Sequence, residues 1–272
     1  MTKTNIQIIS LNPASADCRR LLNELNQQGL TTEIFSAVDG RHATPAFVGD
    51  EVLDLKATLK YRRSALTSSE IGCYLSHLRA IRNAYENGIE KLCLLEDDVR
   101  LEPHFAEVLA AAFELPNTIE FIRLMGLKVH RRKLLQPVND NYALTRPLKG
   151  LCGTQGYIIN RCGMIKVLEF GKTISEPIDK LYDHFWKMDL RTYSIEPHII
   201  WEEASSSSVA KKNTSSSVKK LPDLKSFVAK KRRSLNRYAY LLTHSNEFFP
   251  AKKPKQKPGK IRIKNTPLPF YD

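Results

Sequence analysis

Three consecutive carboxylates, Glu96, Asp97 and Asp98, follow a short apolar run that begins at Leu92. An apolar run that ends at polar residues is typical of a buried strand whose carboxyl end opens towards solvent. Adjacent carboxylates repel one another. A divalent cation bridging to phosphate would relieve that repulsion, because Mg²⁺ and Mn²⁺ prefer hard oxygen ligands. A solvated acidic turn is the alternative interpretation, and these residues alone leave both open.

The elements at the start of the chain predict an α/β sheet with a ligand at one edge. Residues 6–11 and 31–38 are strand candidates, and residues 16–29 between them have helical spacing. In open sheets built from such strand–helix–strand units, ligands lie beyond the carboxyl ends of the strands. We therefore expect Asn12 and Asp39, which follow the two strands, to lie near the three carboxylates.

A capping-box pattern precedes the acidic stretch. Thr67 and Glu70 have the spacing of an N-cap and its reciprocal partner, which predicts a helix that ends near Asn87. Cys73 and His77 share one face of this helix with Glu70, but this set does not complete a zinc shell. We expect His77 to be structural or to hydrogen bond a bound ligand.

A second pair of carboxylates lies in the last helix predicted for the body of the protein. Asp179 and Asp183 are one turn apart near the start of this helix. Acidic residues in a first turn often only complement the helix dipole, so a purely structural role remains an alternative.

The polar and basic residues 126–150 are predicted to form a long loop.

The charge divides the chain into unlike parts. The net charge of the chain is +13. Residues 205–272 hold 17 Lys/Arg and three Asp/Glu, whereas the first 204 residues hold 25 Lys/Arg and 26 Asp/Glu, so the net positive charge lies in the C-terminal part. We predict a catalytic domain at 1–204 and a Ser/Lys-rich flexible linker at 205–220. Residues 221–272 are predicted to form a basic amphipathic helix followed by a Pro/Lys-rich tail.

The basic helix suits one of two environments. Its apolar residues recur with helical spacing among lysines and arginines, which favours an anionic membrane surface. Packing on the body with the charges in water is the alternative. The chain has no apolar run long enough for a membrane span, and its first residues do not predict a secretory signal. Five scattered cysteines without a C-x-x-C pair predict reduced thiols in the cytosol.

The order and spacing of these motifs resemble glycosyltransferase family 25, enzymes of bacterial lipopolysaccharide and lipooligosaccharide synthesis. The matching segments are residues 35–40, 66–77, 94–98, 153–157 and 177–179. The resemblance implies a GT-A-like nucleotide-sugar-binding fold, an open and mainly parallel Rossmann-like sheet flanked by helices. It also implies an inverting transfer, typically of galactose from UDP-galactose to a lipooligosaccharide acceptor. Glucose and N-acetylhexosamine are alternative donor sugars.

The resemblance also implies roles for individual residues. Asp98, with Glu96 in an acid-x-acid spacing, would bind Mn²⁺ or Mg²⁺. The residues expected to contact the donor are Asn12, Asp39, His77, Glu96 and Asp97. An inverting displacement needs a carboxylate to take the proton of the acceptor hydroxyl. Asp179 is the candidate base, and Asp183 is the second candidate.

These interpretations predict an enzyme on a membrane surface and leave two alternatives from other classes. The protein would be cytoplasmic and peripheral, on the inner face of the bacterial inner membrane, where the basic tail meets anionic lipid. A nucleic-acid-binding protein is suggested by the net charge, but the charge lies in the tail without a recognition motif, so no nucleic-acid partner is expected. A non-catalytic sugar-nucleotide-binding protein is the other alternative, and the intact acidic stretch weighs against it.

Overall fold

The computed structural model of the chain describes residues 4–62, 64–128, 130–202 and 224–253. The strands are β1 (Asn5–Ser10), β2 (Glu33–Ser36), β3 (Val52–Leu53), β4 (Lys91–Glu96), β5 (Val99–Leu101), β6 (Phe121–Arg123), β7 (Arg132–Pro137), β8 (Ala143–Pro147), β9 (Gly156–Asn160), β10 (Thr173–Ile174), β11 (Thr192–Glu196) and β12 (Ile200–Glu202). The helices are α1 (Ala16–Gln27), α2 (Leu55–Arg62), α3 (Ser68–Glu86), α4 (Phe105–Phe113), α5 (Arg161–Gly171), α6 (Ile178–Asp183), α7 (Leu224–Thr243) and α8 (Ser245–Phe248), with a 3₁₀ turn at Phe185–Lys187.

The predicted α/β fold with a large, mainly parallel sheet is confirmed. Eight strands form one sheet in the order β2-β1-β4-β9-β6-β11-β8-β7. Six of them point in the same direction, and β9 and β8 run against them. At one edge of the sheet, β1 is parallel to both β2 and β4. The segment β1–α1–β2 is the strand–helix–strand unit predicted from the sequence.

Helices cover both faces of the sheet because its central strands are apolar on both sides. Successive residues of β4 alternate between two core clusters. Leu92 and Leu94 pack with α3, α5 and α6, whereas Cys93 and Leu95 pack with α1 and α4. The sheet therefore holds the carboxyl end of β4 between two buried layers.

The start of α3 confirms the predicted capping box. The Thr67 side chain accepts from the Glu70 N–H, and the Glu70 carboxylate accepts from the Thr67 N–H at 2.9 Å. Two glycines let this end of the helix approach the segment after β2. A Cβ at Gly40 would lie 2.0 Å from the Ser68 carbonyl oxygen, and one at Gly72 would lie 2.7 Å from that of Val38. The helix thus begins directly beside the functional edge of the sheet.

The prediction of a long loop at 126–150 is wrong, because this segment contains the hairpin β7–β8. Arg132 and Arg146, one on each strand, are buried. Because arginine is usually a surface residue, a hydropathy pattern does not indicate these strands. Arg132 forms an ion pair with Glu196 at 2.8 Å. Arg146 pairs with Glu247 at 3.1 Å and lies 4.6 Å from the ring centroid of Phe248.

The C-terminal segment that the structure describes packs on the body. Leu241 and Phe248 belong to the core on the α3 side of the sheet. Arg132 and Lys252 exchange backbone hydrogen bonds of 3.1 and 2.9 Å. The predicted linker at 205–220 and the tail beyond 253 lie outside the described residues, so the division at residue 204 stays a prediction. Within the described part of the chain, the helices are too short or too polar to cross a membrane.

Candidate functional site

The carboxyl ends of β1 and β4 converge, as the sequence predicted. Ser10, the last residue of β1, donates to the Asp97 carboxylate at 2.5 Å. Asn12 lies just beyond, exposed, and its side-chain oxygen accepts from the Ala14 N–H. Asp39 is exposed after β2 and forms a 2.7 Å ion pair with Arg41. Hydrogen bonds from Arg41 hold the pKa of Asp39 below its usual range. A donor contact by either Asn12 or Asp39 stays a prediction.

Asp98 is the least compensated carboxylate of this edge. Burial, followed by the charges of Glu96, Glu202 and Asp97, raises its pKa to about 8. Its Oδ1 atom is buried, and the described residues offer it no hydrogen-bond partner. A buried oxygen of this kind is costly unless a ligand completes it.

Glu96 is fixed by donors from two neighbouring elements. His77 of α3 lies 3.2 Å from its Oε1 atom, and the Thr154 hydroxyl donates to the same oxygen. Burial opposes ionisation of Glu96, but these hydrogen bonds and the His77 charge hold its pKa below the usual value.

The His77 ring is oriented by a hydrogen bond on the side away from Glu96. Its Nδ1 lies 3.0 Å from the Tyr157 hydroxyl, which is 2.9 Å from that of Tyr182 on α6. His77 is 1% exposed and both ring nitrogens contact protein atoms, so it orients Glu96. Its direct contact with a donor stays a prediction.

Glu202 is a site residue that the sequence reasoning missed. It pairs with Val99 across β12 and β5, directly after Asp98, and accepts from Gln155 at 3.2 Å. Burial and the Glu96 charge raise its pKa. The pairing joins residues about one hundred positions apart, and no local pattern around Glu202 indicated it.

The carboxylates of α6 have a different environment. Asp183 is a partner of the buried Arg123 at 3.4 Å and of Lys180 at 2.9 Å, and it accepts from the Cys152 N–H at 3.0 Å. Despite burial, these donors lower the pKa of Asp183. A carboxylate with this many donors is a weak base. Asp179 is better placed as a base, because its side chain is 25% exposed and has one cationic partner, Lys180, at 3.2 Å.

The two groups of carboxylates both lie near the Cys73 thiol. One possible ligand atom from each of Cys73, His77 and Glu96 lies within 4.8 Å of the others, and after burial the charges of Glu96, Asp179 and Asp98 each raise the pKa of Cys73. The structure therefore brings together the predicted metal and base residues, which come from β4 and α6.

Two sets of possible ligand atoms lie within 4.8 Å of one another among the described residues, and neither suits a metal. In the first set, Cys73 joins His77 and Glu96, whose nitrogens and Oε1 are already hydrogen bonded. In the second, the Lys180 ammonium lies 3.1 Å from the Cys152 sulfur and 2.9 Å from Asp183, which leaves no room for a second cation.

Asp98 fits a divalent cation better than either set. Its unpartnered oxygen is hard, it lies among like charges, and a phosphate-bridged Mg²⁺ or Mn²⁺ needs only one or two protein carboxylates. Glu96 as a second ligand stays a prediction. The arrangement can hold a cation and a phosphate at the β4 end and can remove a proton at α6, which is the equipment for group transfer to a hydroxyl.

Relatives of the chain carry glycosyltransferase names. A "Glycosyltransferase 25 family member" of Aedes aegypti is 28% identical over 66% of this chain and 30% of its own length. Procollagen galactosyltransferase 1 of Danio rerio is 27% identical over 71% of this chain and 35% of its own. A "Probable inactive glycosyltransferase 25 family member 3" of Rattus norvegicus is 26% identical over 70% and 36%. The chain thus spans about a third of the length of these relatives.

Solved structures are only distantly similar. A197 from STIV aligns with a TM-score of 0.36 and 17% identity over 71% of this chain and 81% of that one, a likeness too low to support an argument.

The family model named Glycosyltransferase family 25 (LPS biosynthesis protein) matches residues 3–182. This match covers the β4 end, α3 and α6 up to Tyr182, and with them every predicted site residue except Asp183. The chain belongs to glycosyltransferase family 25.

Proposed function

We propose that the protein is an inverting, metal-dependent glycosyltransferase that moves a hexose from a UDP-linked donor to a sugar hydroxyl. The observation that carries the proposal is the buried Asp98 oxygen without a described partner, near the same thiol, Cys73, as the partly exposed Asp179. A cation site and a nearby base are the two requirements of this reaction.

Each of these residues has a role in the proposal. Asp98 would hold Mn²⁺ or Mg²⁺, which would supply Lewis-acid stabilisation of the leaving diphosphate. Glu96, oriented by His77 and Thr154, contacts the donor or a metal-bound water. Asp179 takes the proton of the acceptor hydroxyl. Asp183 and Arg123 hold α6 and the loop at Cys152 in place.

UDP-galactose is the proposed donor, and a lipooligosaccharide or lipopolysaccharide sugar is the proposed acceptor. The relatives named procollagen galactosyltransferases support galactose, and the family description supports a lipopolysaccharide acceptor.

The test is release of UDP from a panel of UDP-galactose, UDP-glucose and UDP-N-acetylglucosamine with Mn²⁺, Mg²⁺ or EDTA. We expect release with one donor, stimulation by a soluble acceptor sugar and loss in EDTA. Donor binding without release by any sugar would instead support a non-catalytic protein, as the name of the probable inactive relative suggests for that protein.

We also propose that the protein works on an anionic membrane surface, on the cytoplasmic side of the inner membrane. The outward face of α7 supports this: Val228, Leu235, Tyr238 and Leu242 are 54–70% exposed and lie within one face of the helix. Lys231 and Arg232 are exposed beside them, and α7 contains no acidic residue. Cations around an apolar stripe suit anionic lipid headgroups.

Co-sedimentation with phosphatidylglycerol vesicles tests the surface without disturbing the core. Deletion of residues 205–272 would remove Leu241 and Phe248 from the core, so substitutions are preferable. We expect the pair Leu235→Gln and Leu242→Gln to weaken binding by at least about tenfold, because two exposed leucines no longer enter the interface. The matched pair Leu134→Gln and Leu135→Gln, exposed on β7, should bind like wild type. Equal binding by both pairs would contradict the proposal.

A further inference from the structure

A cluster of basic side chains lies beside α6, the helix that carries Asp179. Two backbone segments run together there: the Lys128 N–H donates to the Leu151 carbonyl at 2.9 Å, and the Leu148 N–H donates to that of Arg131 at 3.0 Å. They carry Lys128 and His130 on one segment and Lys149 on the other. Gly150 lies against α6, since a Cβ there would be 2.2 Å from the Asp183 carboxyl.

Helix α7 adds Arg237 to this cluster. The guanidinium lies 5.8 Å from the Trp186 ring and 5.0 Å from the Tyr238 ring, so aromatic side chains hold it in place. Its Nε atom is buried, and none of the described residues accepts a hydrogen bond from it.

We call the four basic residues Lys128, His130, Lys149 and Arg237 the basic rim. His130 lies near enough to the other three for their charges to act on it: after burial, the charges of Lys149, Lys128 and Arg237 lower its pKa, and the charge of Asp183 opposes them. The Asp183 charge is already balanced by Arg123 and Lys180. Lys128 and Lys149 are exposed, and the described part of the chain provides no ion-pair partner for either. The rim therefore has an excess of positive charge.

A neighbouring cluster shows that this excess is specific to the rim. Glu176 balances a neighbouring group of basic residues: Arg233, one turn before Arg237 on α7, at 3.7 Å, Lys187 at 3.1 Å and His184 at 2.7 Å. Like charges that a fold gathers without compensation favour binding of an oppositely charged ligand.

We propose that the basic rim binds a phosphate group carried by the acceptor saccharide. The inference rests on the proposed function, because it places the acceptor beside the candidate base, Asp179. The rim contacts α6 with Asp179, whereas the donor diphosphate is assigned to Asp98 at the end of β4. Arg237 donates from a guanidinium fixed by stacking, and Lys128 and Lys149 contribute charge.

The test compares glucose 6-phosphate with glucose as probes, by calorimetric titration of the whole chain. We expect glucose 6-phosphate to bind more tightly than glucose, with an affinity that falls as salt is added. Arg237→Gln should weaken it by about tenfold, and Lys149→Gln, which removes an exposed side chain, by about threefold. Arg232→Gln is the matched control, since Arg232 lies exposed on the opposite face of α7.

Titration with UDP distinguishes the two sources of phosphate. UDP affinity should be the same in wild type and Arg237→Gln. Loss of UDP affinity in Arg237→Gln would assign the rim to the donor and overturn the proposal. Equal weakening of glucose 6-phosphate by Arg232→Gln and Arg237→Gln would also overturn it, because the attraction would then be diffuse. Phosphate-dependent binding without UDP release from any donor would leave the rim standing and reject the proposed transfer.

Discussion

The strand-end carboxylates (Glu96, Asp97, Asp98 and Glu202) and the carboxylates on α6 or just before it (Glu176, Asp179 and Asp183) are chemically alike but have different partners. Asp98 has a buried oxygen without a described partner, and burial among like charges raises its pKa to about 8. Asp183 is buried, yet Arg123 and Lys180 lower its pKa. The fold supplies cations to α6, whereas we propose that Asp98 takes its cation from solution.

This comparison predicts opposite consequences for two Asp→Asn substitutions. Asp98→Asn should reduce sugar transfer by about 10³-fold or more, because the metal and the leaving diphosphate lose their protein ligand. The free energy of unfolding should stay the same or rise by up to about 1 kcal/mol, since like-charge repulsion is removed. Initial rates with saturating Mn²⁺ and chemical denaturation measure the two effects.

The matched control is Asp50→Asn, at an exposed aspartate paired with Arg82 on α3. It should leave the rate unchanged. Activity of Asp98→Asn within tenfold of wild type would remove Asp98 from the metal site.

Asp183→Asn should act mainly on stability. The substitution leaves the buried Arg123 without its carboxylate, and breaking one side of a buried ion pair costs about 3 kcal/mol. We expect the midpoint of urea denaturation to fall at unchanged slope. A variant as stable as wild type would show that the Asp183 contacts contribute little, and the contrast with Asp98 would then fail.

How far the sequence could predict these groups depends on the range of the contacts involved. The capping box at Thr67 and Glu70 is local, so it was predicted and is confirmed. The edge position of the strand-end carboxylates follows from strand direction alone. By contrast, Glu202 reaches Asp98 only through the pairing of β12 with β5. The partner of Asp183, Arg123, is 60 positions away, and its burial could not be deduced from hydropathy.

The hairpin β7–β8 was missed for the same physical reason. Arg132 and Arg146 read as surface residues, but ion pairs and aromatic rings bury both of them. Their partners Glu196 and Glu247 lie on β11 and in the C-terminal segment, which the sequence reasoning treated as separate from the body. The helical spacing of the apolar residues on α7 was predicted, but the sequence left open whether this helix meets a membrane or packs on the body. In the structure Leu235 and Leu242 are exposed, whereas Leu241 lies in the core.

Glu176 extends the comparison to pH. Burial opposes its ionisation, yet His184, Lys187 and Arg233 hold its pKa at about 2. A carboxyl whose pKa is lower in the folded than in the unfolded chain stabilises the fold above its unfolded pKa, and this stability is lost as the pH falls through the folded pKa. We expect a loss of about 3 kcal/mol between about pH 5 and pH 2.

Urea denaturation at several pH values checks this, with Glu176→Gln as the comparison. The variant should be less stable than wild type at pH 7, and the difference should vanish near pH 2. An identical pH dependence in both proteins would mean that other carboxylates cause the acid sensitivity.

Asp179→Asn tests the comparison within a single helix. Asp179 lies on α6 with Asp183 but has fewer partners among the described residues. Its partial exposure and single cationic partner leave it free to accept a proton from an acceptor hydroxyl. We expect the turnover rate to fall by about 10²-fold, as for loss of a general base, with little change in the midpoint of denaturation or in the KM for the donor. Hydrolysis of the donor by water should fall less than transfer to the acceptor, because a water nucleophile can release its proton to surrounding solvent without Asp179. If turnover is unchanged while Asp98→Asn is inactive, Asp179 is not the base, and Asp183 is tested next despite its donors. In that case the presence or absence of cationic partners would still distinguish Asp98 from the carboxylates of α6. It would no longer distinguish the function of Asp179 from that of Asp183.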